Sequence, residues 1–167
     1  MKLIIPLFAL SMAAAAFAQD TVKFYRLDFT VKELDGSKVV SAKKYSTVNS
    51  TDPRARGALI RTGTKIPYTT AAGGTGPATS IQYAEIGVNI DCHSMKEESG
   101  QLILHIAAEI SSVTSSAGPI NVLPVIRQYR WSSLSVVEPG KPTTLYSSDD
   151  VDLTRKMQLE LTATPVR

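Results

Sequence analysis

From Phe24 to Ala163 the chain alternates apolar and polar residues at a spacing of two, the period of a strand with one buried and one wet face. In "QLILHIAAEISSV" the residues Leu102, Leu104, Ile106 and Ile110 fall on one side, with His105 and Glu109 on the other. "SIQYAEIGVNIDCHS" sorts the same way: Val88, Ile90 and Cys92 oppose Asn89, Asp91 and His93. The polar turn "MKEESG" makes the two a hairpin whose register must keep the apolar sets together, and one allowed register sets Asp91 opposite His105. In "TRKMQLELTATPV" the set Met157, Leu159, Leu161, Ala163 alternates with Lys156, Gln158, Glu160, Thr162. No stretch carries the 3.6-residue period of a helix.

Turn chemistry divides the rest. Asp35-Gly36 suits a two-residue hairpin loop, which would set Glu33 opposite Lys38 and Asp28 opposite Lys43. "STDPRARG" reads as a turn, and "ALIRTGTKIPY" as an edge-type strand interrupted at Gly63 and Pro67. "VIRQYRWSSLSVVEPGKP" is a strand closed by Pro139-Gly140. The expected architecture is all-β, with seven or eight strands in a single antiparallel β-sandwich or partly open barrel-like domain.

The first twenty residues change the picture of compartment. One Lys, an apolar run and the small residues Ala16 and Ala18 predict a signal peptide over residues 1–18, leaving 19–167 as one exported domain. A net charge of +3 gives no electrostatic footprint for nucleic acid. The single cysteine excludes an intramolecular disulfide, so the domain must rely on its core.

Candidate chemistry is sparse. "AAGGTGPATS" lacks the Gly-Lys-Ser/Thr ending of a phosphate loop and enters no helix, so it reads as a mobile loop between strands. Cys92 lies on an apolar face, where a thiol is inert packing. His93 and His105, with Asp91 and Glu85, share a polar face but not the ligand spacing of a zinc site. No Gly-x-Ser-x-Gly elbow exposes a serine. Arg127 and Arg130 point to opposite faces of one strand and read as ends of ion pairs beside Tyr129 and Trp131. Asn49-Ser50-Thr51 matches a glycosylation sequon by pattern alone. No catalytic residue, cofactor or metal is expected.

Read in order, "RLDFTVKELDGSK", "ALIRTGTKIPY", "SIQYAEIGVNIDCHS", "GQLILHIAAEISSV", "PVIRQYRWSSLSVVEPGKPTTL" and "MQLELTATPV" resemble the β-domain of bacterial secretins. The matching positions are Gly63, Ile66, Pro67, Tyr83, Gly87, Glu109, Ser111, Pro124, Ile126, Arg130 and Gly140, all read as structural. The chain departs from that family in having only "SSDDVDLTR" where a membrane-lip segment usually stands, and in lacking the family's N-terminal modules. The resemblance implies a secretin-like fold more strongly than a secretin's work.

The function expected is that of an exported, non-enzymatic structural or assembly component, linked to secretion or pilus machinery. Its expected place is periplasmic or secreted, with outer-membrane association and membrane contact left open. Partners would be another envelope protein or a second copy, joined through strand edges into an oligomer. The alternative is a soluble periplasmic binding or adhesion module, with the glycine tract and "SSAGPINVLP" as a recognition rim. An enzyme using Asp91, His93 and His105 ranks last.

Overall fold

A computed structural model describes residues 21–71, 79–114, 125–149 and 155–166. The proposed signal peptide, the core of the glycine tract, the loop 115–124 with Pro124, and residues 150–154 lie outside them.

Eight strands are described: β1 (Phe24–Asp35), β2 (Lys38–Ser50), β3 (Ala58–Ala71), β4 (Thr79–Glu98), β5 (Gln101–Thr114), β6 (Val125–Val137), β7 (Thr143–Asp149) and β8 (Arg155–Pro165). They form two antiparallel four-stranded sheets, ordered β2-β1-β8-β7 and β3-β4-β5-β6. Each strand pairs with its neighbour in sequence and β8 returns to β1, except at β2/β3 and β6/β7. An up-and-down barrel has this cyclic order, so the domain is a barrel opened at two seams into a sandwich. Both seams fall where the chain carries Pro53 and Gly57, or Pro139, Gly140 and Pro142, residues that favour turns.

Alternation supplies the core. On the first sheet Leu27 and Phe29 of β1, with Leu159 and Leu161 of β8, are fully buried. Leu102, Leu104 and Ile106 of β5, Ile90 and Cys92 of β4, and Val137 of β6 close over them from the second sheet. Each large side chain so removed from water is worth about 1.5–3 kcal/mol. The apolar faces expected from the sequence on β4, β5 and β8 are the buried ones.

Register differs from expectation in two places. The β1–β2 turn is Gly36-Ser37, with Asp35 paired to Lys38, and a bulge at Glu33/Leu34 shifts the ladder beyond it. Glu33 therefore faces Ser41 and binds Arg155 of β8 at 2.6 Å. Asp28 faces Ser46, accepts its hydroxyl at 2.6 Å and takes Arg26 Nε at 2.9 Å, so neither expected lysine pair forms. Two lysines across the strand offered the sequence plausible partners, but the bulge and the neighbouring β8 decided otherwise. On β4–β5, Asp91 pairs with Ala107 and His105 with Ser94, after a second bulge between Cys92 and Ser94. β3 is an edge strand as expected, but it runs unbroken through Gly63 and Pro67. At an edge a proline's missing N–H need not cost a ladder bond.

Candidate functional site

Most of the residues singled out from the sequence gather on the second sheet, and five of them draw its four strands together at neighbouring ladder positions. Gly63 of β3 is the register partner of Gly87 of β4. A Cβ on Gly63 would stand 2.5 Å from the Ile86 carbonyl oxygen, and one on Gly87 would collide with that of Thr62. Two backbones approach here closer than any side chain allows. Gly87, at φ +156°, donates its N–H to Ser111 Oγ of β5 at 3.0 Å. Two positions along the ladder, Glu109 of β5 accepts Arg130 of β6 through Nε at 3.2 Å and Nη2 at 2.9 Å, and Gln128 at 2.7 Å.

Beyond this row β3 and β4 continue as a two-stranded arm. Ile66 and Pro67 lie on it, Pro67 opposite Tyr83, and none of the side chains 64–68 or 81–86 is fully buried. Ile126 is exposed near the matching end of β6, and Gly140 occupies a turn at φ +81° with its N–H bound to the Ala163 carbonyl at 2.8 Å. The hairpin ends Ala71/Thr79 and Thr114/Val125 leave the same end of the second sheet, because β4 and β5 are antiparallel.

The outer face holds a polar groove of about 650 Å³ lined by Arg61, Lys65, Glu85, Asn89, Glu109 and Ser111. Its charges are engaged with one another: Arg61 with Asp91, Lys65 with Glu85 at 3.0 Å, and Arg130 with Glu109. Ser111 Oγ is occupied by the Gly87 N–H, and the nearer imidazole, His105, stands six residues along the same strand, roughly 20 Å away. A nucleophile without an adjacent base is not activated.

Cys92 is buried, and desolvation pushes its thiol up, partly offset by the Asn49 amide that donates to Sγ at 3.2 Å. That bond links β2 to β4 across the two sheets. Asn49 is itself 6% exposed and its Oδ1 accepts the Ser50 N–H, so the sequon's amide serves the interior and offers no open attachment point. As expected, Arg127 and Arg130 fall on opposite faces of β6. His93 and His105 come together on the outer face, while Glu85, eight residues back along β4, pairs with Lys65 and Asp91 pairs with Arg61. Sequence reading missed the inter-sheet pair Tyr25–Glu97 and the Asn49–Cys92 bond, for which strand alternation carries no signal.

The first sheet ends in β2 and β7, the second in β3 and β6, so four strands present an edge. Along β3 and β6, among the described residues, each is hydrogen-bonded as a strand on one side only.

No protein-family model and no curated protein matches the chain. Solved structures do match. The InvG secretin domain β-barrel of the Salmonella SPI-1 injectisome is 10% identical, with 87% of this chain and 62% of that one covered at a TM-score of 0.50. The Salmonella InvG secretin determined by cryo-electron microscopy is 8% identical over 87% and 64% of the two chains, with a TM-score of 0.53. The injectisome basal-body model of InvG, PrgH and PrgK gives 8% identity, 87% and 45% coverage, and a TM-score of 0.53. The chain thus spans less than two thirds of the length of these chains. At such identities the likeness speaks of architecture. Two antiparallel sheets in this order, with no helix among the described residues, have the fold of the secretin β-domain.

Proposed function

We propose that the chain is an exported, non-enzymatic component of an envelope assembly related to protein secretion or pili, and that it works through strand-edge contacts. The carrying observation is the secretin β-domain fold with β3 and β6 exposed as opposite edges of one sheet. An edge strand is a template for another strand, and a sheet with two open sides can join copies of itself laterally or accept a different envelope protein. The mutually paired charges of the outer face agree with a role in assembly. The site of action on this reading is the periplasm or the outer membrane.

Light scattering after size exclusion tests the reading. An oligomer is expected at high micromolar concentration, and a strict monomer that also captures no strand-bearing envelope partner would remove it. Proline at Thr64 or at Lys65 localises the contact, because neighbouring N–H groups on an edge strand point alternately inward and outward. The outward position should abolish assembly and keep the fold.

A recognition module is the second reading. Its one support is that the glycine tract and the 115–124 loop both leave the same end of the second sheet. Replacing both loops by short turns without loss of assembly would favour the edges over the rim.

A further inference from the structure

The chain has only two histidines. The structure brings them into contact through the β4–β5 pairing: His93 is the extra residue of the bulge between Cys92 and Ser94, and His105 is the register partner of Ser94. Bulges re-aim a side chain. Here two consecutive residues, His93 and Ser94, both reach solvent, against the alternation on either side. The two imidazole centres stand 5.2 Å apart with their planes inclined at 41°.

We propose that His93 and His105 form a two-imidazole site for a borderline divalent transition-metal ion, Cu²⁺, Ni²⁺ or Zn²⁺, on the outer face of the second sheet. Imidazole nitrogen binds zinc at about 2.0–2.1 Å, which sets each ring centre about 3.2 Å from the ion. Two such rings at a tetrahedral angle have centres about 5.2 Å apart. The observed separation is 5.2 Å, so the two ring centres already stand at the spacing that shared ligation needs. Imidazole is a ligand suited to these ions and a poor one for Mg²⁺ or Ca²⁺.

The surroundings decide what kind of site this is. Asp91 is held by Arg61, Glu97 by Lys23 and Tyr25, and Glu98 by Lys96, so the carboxylates of β4 that flank His93 are engaged. Among the described residues no group of three His, Cys, Asp or Glu converges. Water or an external donor therefore completes the coordination, and the site is open and exchangeable. A ligating histidine commonly engages its second nitrogen with a neighbour. Ser132 Oγ of β6, 3.5 Å from His105 Nε2, stands where such a partner would. Two histidines twelve positions apart in β-structure carry no recognisable ligand spacing, and only the cross-strand register juxtaposes them.

Two aromatic rings packed for their own sake would show the same separation, and a titration distinguishes the cases. The full chain, without a polyhistidine tag, is titrated calorimetrically with Cu²⁺, Ni²⁺ and Zn²⁺. One ion per chain is expected, with Cu²⁺ tightest. His93→Gln and His105→Gln should each weaken it tenfold or more, with circular dichroism unchanged since both side chains are exposed. In the unaltered chain, the imidazole resonances of both histidines should shift together with Zn²⁺. Binding that survives either substitution, or Zn²⁺ that moves only one histidine or neither, overturns the proposal.

Discussion

Buried polar side chains in this molecule tie one sheet to the other. Tyr25 of β1 reaches Glu97 of β4, donating to Oε2 at 2.7 Å, while Lys23 holds Oε1 at 2.8 Å. Burial, then the hydrogen bond and charge of Glu97, push the Tyr25 phenol from 10.0 up to about 12. The fold favours the neutral phenol, so this contribution is intact below pH 10 and is lost as pH rises from there toward 12. Glu97 has the opposite sense: hydrogen bonds from Lys23 and then Tyr25 hold its carboxyl below the usual range. Its contribution is present above the ordinary carboxylate pKa and disappears as pH falls through the lowered one. We expect a phenolate absorbance titration to show a late step near pH 12 that Tyr25→Phe removes. Its persistence in that variant would assign the late step to another tyrosine. Tyr45, also raised by burial, is the one to examine next.

At the scale of elements, two glycines with positive φ separate two kinds of cost. Gly36, in the β1–β2 turn at φ +59°, has nothing near an added Cβ. Gly36→Ala should therefore lose only about 1 kcal/mol, the cost of the left-handed conformation. Gly87→Ala meets the Thr62 backbone as well, in a row that also holds Gly63 and Ser111. A loss of about 2–4 kcal/mol is expected there, about 1 for the conformation and about 1–3 for the overpacking against backbone. Urea denaturation of the two variants gives the comparison, and equal losses would refute close backbone approach as the reason for Gly87. The sequence marked both glycines as special, one as a turn and one through family resemblance. It could not separate them, because the collision at Gly87 involves a carbonyl from a strand more than twenty residues away in sequence.

For the whole molecule, stability rests on one interior between the two sheets, with no covalent link. Leu104→Ala empties a fully buried position on β5, and a loss of about 2–5 kcal/mol is expected in thermal or urea unfolding. The exposed Leu134→Ala, at 66% exposure on β6, should cost under about 0.5 kcal/mol in the same experiment. If Leu134→Ala were as costly, the outer face of the second sheet would be covered in solution. Edge-to-edge assembly leaves that face free, so this pair of variants also constrains which surface a second copy uses.

Alternation and turn chemistry determined which residues are buried on β4, β5 and β8, the all-β class, and the β1–β2 and β4–β5 hairpins. Each of these follows from local chemistry: successive side chains point to opposite faces, and glycine and proline clusters favour turns. Tertiary structure alone decided the partners. Bulges at Glu33/Leu34 and Cys92/Ser94 moved the registers, sending Glu33 to Arg155 and bringing His93 to His105. Packing of one sheet on the other set the Tyr25–Glu97 and Asn49–Cys92 bonds. A period of two says which face a side chain occupies and nothing about its neighbour across the ladder, because every register that keeps the faces together satisfies it equally.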